Sequence, residues 1–285
     1  IKKSCTLIGK VLNKNDIVFL ESTVYPGVTE KLCAPIIEKV SKLKKNIEFH
    51  IGYSPERINP GDKIHKVNKI KKIVSCKTKN LTIKSIILKV YKSVTKKIIY
   101  SNKIQEAETA KLIENIQRDL NIALMNEIYL ACEKLKINFF EVKRLAETKW
   151  NFNKFSPGLV GGHCLPVDPY YFTYLMKKNN FKTKIISAGR EINNNIYNFV
   201  EKKIIKKINT LGKNMHNSKI LIMGLTYKEN VSDIRNSISL KIFKILKMKY
   251  TGICAYDPHL HNKKTQISNS LYNLKNKDYD LVVIL

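Results

Sequence analysis

Asp16-Ile17-Val18-Phe19-Leu20-Glu21, followed at once by Ser22-Thr23-Val24-Tyr25-Pro26-Gly27, sets the frame for the whole chain. The first six residues are a short apolar run closed by a turn, the pattern of a buried parallel strand. The next six are the loop after it, and the residues from Thr29 to Val40 predict a helix. A second strand is expected over Ile47–Tyr53, followed by a Pro-containing loop, and a third over Ile70–Cys76. Strand, loop and helix in alternation predict an α/β layer.

Downstream the period changes. Ala107, Ala110, Leu112, Ile113, Ile116, Leu120, Ala123, Leu124, Ile128 and Ala131 recur at helical spacing, with no Gly or Pro between Gln105 and Leu135. They predict one long, mostly buried helix able to join two domains. A helix over Phe140–Thr148 and a Gly- and Pro-rich loop over Ser156–Pro166 come next. Asp168-Pro169 reads as an N-cap with Pro at the first helical position, opening a helix to about Lys178. Another helix is expected over Ile192–Lys207. Lys219–Gly224 starts a fresh α/β unit, continued by a helix from Ser237 to about Met248 and strands at Ile253–Asp257 and Tyr279–Leu285. The boundaries fall near 103 and 208. They give a partial Rossmann-like domain over 1–103, a central helical domain over 104–207 and a second, incomplete Rossmann-like nucleotide-binding domain over 208–285.

Composition narrows the class. The 285 residues are 44% hydrophobic, as in ordinary globular proteins. No run approaches the roughly 18 uncharged apolar residues of a membrane helix, so no membrane partner is expected. The six cysteines, at 5, 33, 76, 132, 164 and 254, form no C-x-x-C pair and show no metal-ligand spacing. Free thiols in a reducing cytoplasm are the expectation, with no metal. The formal charge of +29 invites a nucleic-acid reading. The lysines are spread along the chain without interleaved aromatics, and a preference for Lys, Asn, Ile, Tyr and Phe reflects codons rich in A and T. No nucleic-acid partner is expected, although a basic protein attracts phosphorylated substrates.

Five stretches carry chemistry. In Gly161-Gly162-His163-Cys164-Leu165-Pro166-Val167-Asp168, a cysteine stands just before a helix N-terminus, where the partial positive charge favours a thiolate. The alternative is a buried Cys in a tight turn with a structural cap at Asp168. Lys111 and Asn115 are i, i+4 neighbours on the long helix, and an ammonium with a carboxamide can hold a developing oxyanion. A solvated lysine is the plainer reading. Ser22–Gly27 and Ser54-Pro55-Glu56-Arg57 both follow predicted strands, where open α/β sheets bind ligands. Lys228 and Arg235 flank a strand-to-helix loop of the kind that binds anions, or are solvated charges.

The order and spacing of ESTVYPG, SPER-x-x-PG, AE-x-x-K-x-x-x-N, PGLVGGHC-x-P-VDPYY and GL-x-YK-x-x-x-x-D-x-R-x-S resemble the UDP-glucose and GDP-mannose dehydrogenase family over nearly the whole chain. The nearest branch is the bacterial UDP-N-acetylhexosamine 6-dehydrogenases. The resemblance implies NAD as cofactor, a UDP-sugar substrate, a homodimer through the central helix and four-electron oxidation of C6. It implies Cys164 as nucleophile, Lys111 as catalytic lysine, Asn115 as oxyanion support, Asp168 as organiser of base and water, and Glu56 in the hydrolytic step. Thr23, with Ser22 and Val24, and Arg235 would face the dinucleotide. Glu56, Arg57, Lys111, Asn115, Phe155, Pro157, Gly158, Gly161, Tyr227 and Lys228 would line the nucleotide-sugar site. Pro60 stands where glucose-specific members carry a second glutamate, and His163 also departs from the glucose pattern. Both favour an N-acetylated amino sugar over UDP-glucose, with UDP-N-acetylmannosamine a further alternative. No Gly-rich dinucleotide loop occurs, Ile1 is not an initiator, and the last strand lacks its following loop. Truncation at both ends is therefore expected, with at least two βαβ units of roughly 30 residues missing; an inactive remnant is the rival reading.

Overall fold

A computed structural model describes residues 1–58, 62, 64–260, 267–268 and 278–285. The chain divides into two compact units: residues 1–115 with 168–182, and residues 116–167 with 183–285. The α/β class read from the sequence holds in both.

The first unit is built on a four-stranded sheet, β1 (Ile17–Leu20), β2 (His50–Tyr53), β3 (Lys72–Cys76) and β4 (Ile98–Ser101), in that spatial order. β1 and β2 run parallel with Ile17 opposite His50. β2 and β3 are antiparallel, and β3 and β4 are parallel again. The expectation of a fully buried β1 needs correction: it is an edge strand in this sheet and half-buried throughout. Two helices not anticipated from the sequence cover the layer, α1 (Lys2–Val11) and α3 (Leu81–Val94). The side chain of Asn80 starts α3 by accepting from Thr82 N at 2.9 Å and Ile83 N at 3.2 Å. The helix expected over 29–40 is a single π-helical turn, Thr29–Cys33, running into α2 (Ala34–Ser41). The core joins Val24, Val28, Ile37, Phe49, Ile51 and Tyr53 to Ile104 and Ala107, the first turns of α4 (Ile104–Leu135).

The second unit contains the rest of α4, then α5 (Phe139–Ala146) and α7 (Lys184–Thr210). The helix between them in sequence, α6 (Asp168–Lys178), belongs to the first unit. Asp168 is the first residue of α6, so the Pro at 169 is its second residue. α7 begins eight residues before the predicted start. Gly189 inside this stretch discourages helix on propensity. Here a Cβ on Gly189 would stand 2.4 Å from Leu120 Cδ2, so close helix packing overrides local preference.

Beyond α7, a sheet of four parallel strands forms from β5 (Ile220–Met223), β6 (Ile253–Tyr256), β7 (Ile267–Ser268) and β8 (Leu281–Ile284). Its order is β7-β6-β5-β8, with α8 (Ile238–Lys249) crossing between β5 and β6. The chain moves outward from β5 to β7 and returns to the far side of β5. That reversal makes a switch point at the carboxyl ends of β5 and β8, the place where doubly wound sheets bind nucleotides. Gly224 ends β5 there with φ +87°, and a Cβ on it would lie 2.6 Å from the Leu285 carbonyl oxygen. Ser237 starts α8: its hydroxyl donates to Leu225 O at 2.6 Å and accepts from Leu240 N at 3.1 Å.

Candidate active site

In the first unit, the loop Ser22–Pro26 leaves the carboxyl end of β1 and the loop Ser54–Ile58 leaves that of the parallel β2. Ser22 is exposed, Thr23 half-buried and Val24 buried. A buried carboxylate fixes the end of the first loop. Glu108, in the second turn of α4, accepts from Gly27 N at 2.5 Å, Thr29 N at 2.9 Å and Thr29 Oγ1 at 2.7 Å. Burial pushes the Glu108 carboxyl above its ordinary range, opposed by these donors. Glu108→Ala is expected to lower stability by about 2–4 kcal/mol, because it strands two buried backbone N–H groups and a hydroxyl; the midpoint of denaturant unfolding measures it. Glu108→Gln replaces one acceptor with a donor facing an N–H and should recover little of that loss.

One turn further along α4 is Lys111, half-buried, and one turn beyond it Asn115, buried. The Asn115 amide donates to Asp168 Oδ2 at 2.5 Å, so two residues given separate roles from the sequence are in direct contact within the unit. Tyr53, fully buried at the end of β2, has its phenol pushed up by burial and then by the negative fields of Glu108, Asp168 and Glu114. Glu56 folds back on its own loop, its Oε1 accepting from Arg57 N at 2.7 Å and Ile58 N at 2.6 Å, and its Oε2 lies 3.9 Å from Lys72 Nζ. Arg57 is engaged by Glu114 of α4 at 2.6 Å and by the Lys71 carbonyl at 3.0 Å. Pro60 lies outside the described residues.

In the second unit, the loop from Phe155 to Cys164 is held at two points. Asn126 of α4 binds both backbone polar groups of Gly158: Oδ1 accepts from Gly158 N at 2.9 Å and Nδ2 donates to Gly158 O at 3.0 Å. Gly162 N donates to Arg235 O at 3.0 Å, and Asn236 Nδ2 donates to Gly162 O at 2.9 Å. Gly162 has φ +91°, and a Cβ there would meet the Tyr227 ring at 2.8 Å. One on Gly161 would meet Tyr227 Cβ at 2.8 Å. Both positions need glycine, because the loop passes flat against Tyr227. Cys164, half-buried, follows two residues later, and its negative field contributes to raising the Tyr227 phenol after burial and Asp233. Phe155 packs against the Met125, Cys132 and Phe139 cluster.

A cavity of about 1080 Å³ opens at the β5/β8 switch point. Pro157, Gly158, Tyr227 and Lys228 line it, with Gly224 and Thr226. Asp257, at the end of β6, shapes its floor by accepting from Leu225 N at 2.7 Å and Thr226 N at 3.0 Å. Arg235 is exposed, and its guanidinium closes on Asp233 two residues away. Glu108, Asn126 and Asp257 hold the backbone of the candidate loops, and sequence reasoning gave them no role. For Asn126 and Asp119 a signal existed: both fall on the buried α4 stripe of Leu112, Ile116 and Ala123. Polar residues on a buried stripe have partners to satisfy.

Each unit carries a four-stranded α/β sheet, and in the second unit a glycine-containing loop runs from the switch-point cavity to Cys164. The chain belongs to the UDP-glucose/GDP-mannose dehydrogenase family: residues 1–95 match its NAD binding domain, 105–195 its central domain and 221–285 its UDP binding domain. It is 42% identical to a UDP-N-acetyl-D-glucosamine 6-dehydrogenase of Salmonella typhi, covering 99% of this chain and 67% of that one. It is 44% identical to a Pseudomonas aeruginosa protein of the same name, covering 90% and 60%. The structure of a UDP-D-ManNAc dehydrogenase from Pyrococcus horikoshii superimposes with a TM-score of 0.88 at 29% identity, covering 99% of this chain and 65% of that one. The chain thus spans 58% to 67% of the length of these and a third curated relative. NAD is the cofactor of the matched domain. The donor set at the β1 edge fits part of it: the hydroxyls of Ser22 and Thr23 and adjacent backbone suit a neutral carboxamide and ribose.

Proposed function

We propose that the whole protein oxidises C6 of a UDP-N-acetylhexosamine to the uronic acid, with two NAD per turnover. The observation that carries this reading is the loop pinned at Gly158 and Gly162, which runs from the switch-point cavity to Cys164. The family match supports it. Bound NAD supplies the hydride acceptor in both oxidations, held in part by Ser22, Thr23 and Val24.

The chain's own groups do the rest. In the first oxidation C6 loses a hydride and its hydroxyl loses a proton, leaving an aldehyde. The Cys164 thiolate then adds to the aldehyde carbon; the C–S bond forms, the carbonyl π pair moves to oxygen, and a thiohemiacetal results. Lys111 and Asn115 stabilise that oxygen while negative. Loss of the second hydride gives a thioester on Cys164. Water adds, the C–S bond breaks, and the thiolate leaves with the carboxylate released. Asp168, held by Asn115, orders the water and base, and Glu56 assists hydrolysis. One alcohol, two NAD⁺ and one water give one carboxylate, two NADH and three protons.

Phe155, Pro157, Gly158, Gly161, Tyr227 and Lys228 hold the nucleotide sugar together with Arg57, and Arg235 faces the dinucleotide. Pro60 and His163 favour an acetamido group over a hydroxyl at C2, a difference of volume and hydrogen bonding that a site can discriminate strongly. The product suits surface polysaccharide synthesis in the cytoplasm. α4, with Ile113 and Leu124 exposed, is the surface for pairing two copies. NADH formation by the full-length gene product, assayed with each UDP-sugar, tests the reading. UDP-N-acetylglucosamine or its galacto epimer should give the highest kcat/KM, and a higher value for UDP-glucose defeats the assignment.

A further inference from the structure

Behind the Gly158 contact lies a chain of buried polar side chains joining α4 to α7. Asn126 uses its second Nδ2 proton to donate to Asn193 Oδ1 at 2.9 Å. Asn193 Nδ2 donates to Asp119 Oδ1 at 2.8 Å and to the Asp119 carbonyl at 2.9 Å. Arg190 Nη1 donates to the same Asp119 Oδ1 at 2.6 Å. Asn126, Asn193, Asp119 and Arg190 are 0–3% exposed.

The order of donors in this chain is forced. Asp119 Oδ1 lies against a guanidinium and accepts whether or not Oδ2 carries a proton. Asn193 must therefore turn its NH2 toward Asp119, which turns its oxygen toward Asn126. Asn126 must then turn its NH2 toward Asn193, which leaves its own oxygen for Gly158 N. An amide has two faces related by a flip, and only one of them pairs with a peptide unit in this sense. The acid on one turn of α4 thus supports, through Asn193, the same amide orientation that the Gly158 peptide requires two turns later.

We infer that Asn126 is a positioning residue for the nucleotide-sugar loop, and that Asn193, oriented by Asp119 and Arg190, sets the amide face it presents. The inference rests on the reading of Phe155–Gly161 as the substrate loop. Gly158 is exposed, and a Cβ on it would meet nothing within 4 Å, so its side-chain direction is open space. The two Asn126 bonds hold its backbone. The loop is then fixed at Gly158 by Asn126 and at Gly162 by the Arg235–Asn236 backbone and side chain, with three residues between.

The test uses the full-length gene product and its Asn126→Ala and Asn193→Ala variants. Each is measured by steady-state kinetics and by hydrogen exchange of the 156–164 segment. For Asn126→Ala the KM for the UDP-sugar should rise about tenfold, since misplacing a positioning element by an ångström has effects of that order or larger. The KM for NAD should stay within about twofold, and protection of the Gly158–Gly162 amides should fall. Asn193→Ala leaves both Gly158 bonds in reach but frees the flip, and should show a smaller shift of the same kind. If Asn126→Ala does not fold, Asn193→Ala alone decides: wild-type UDP-sugar KM and wild-type exchange there overturn the inference. A folded Asn126→Ala variant whose two KM values change together, or whose loop exchange is unchanged, also overturns it. Wild-type protein that turns over no UDP-sugar sinks the proposed function instead, and loss of loop protection in Asn126→Ala then still establishes the clamp.

Discussion

Cys164→Ser in the full-length protein is expected to lower overall NADH formation by more than about a thousandfold, the scale on which loss of a covalent nucleophile acts. An aldehyde carbon is a poor hydride donor. It becomes a good one only after a nucleophile has made it tetrahedral. A serine hydroxyl at neutral pH is a far weaker nucleophile than a thiolate and forms an ester that leaves more slowly. The first hydride transfer does not need the thiol, so rapid mixing should still show one early step, or an aldehyde trappable by a carbonyl reagent. Product analysis is the decisive measurement. Carboxylate formed at the wild-type rate by the serine variant would place the nucleophile elsewhere.

Arg190→Met should destabilise the second unit by about 3–5 kcal/mol, the range for removing one partner of a buried ion pair. Asp119 is fully buried, and Arg190 donates to its Oδ1 at 2.6 Å. Removing the guanidinium leaves a carboxylate in an apolar helix interface with only an amide beside it. The double variant Asp119→Leu/Arg190→Met replaces charge with packed apolar volume and should recover most of that stability. It also removes one of the two acceptors that orient Asn193, the Asp119 carbonyl remaining. Unfolding midpoints and UDP-sugar KM should therefore separate in degree: stability returns more fully than substrate affinity. A single Arg190→Met variant with wild-type unfolding would show that Asp119 is not held as an ion pair.

The fold was legible where the apolar pattern was local. DIVFLE, KILIMG and the apolar stripe of α4 state their element types within one window, and β1, β5 and α4 follow. The burial of β1 was not legible, because an edge strand and a central strand share the same apolar run. The antiparallel pairing of β2 with β3 depends on which strands meet, and no residue in either encodes that by itself. In α3 the buried Ile83, Ile87 and Tyr91 do recur every four residues, but Lys84, Lys89 and Lys92 around them mask the stripe. At the site, Asn115 and Asp168 could be paired in advance only through the family resemblance, since 53 residues separate them. Asp119 and Asn126 announce themselves as polar breaks in a buried stripe. What they bind, 32 to 74 residues away, comes only from tertiary packing.

The fit of Gly161 and Gly162 against Tyr227 has a kinetic meaning. Tyr227 stands on the wall of the switch-point cavity, and Cys164 follows two residues after the glycine its ring covers. With no side chain between loop and ring, a displacement of one is a displacement of the other. Under the proposed function, the uridine end of the substrate grips the same mechanical part that carries the sulfur. Attraction far from C6 is then converted into alignment at C6. A sugar deprived of its nucleotide would lose turnover as well as affinity, because nothing would draw the thiol into line.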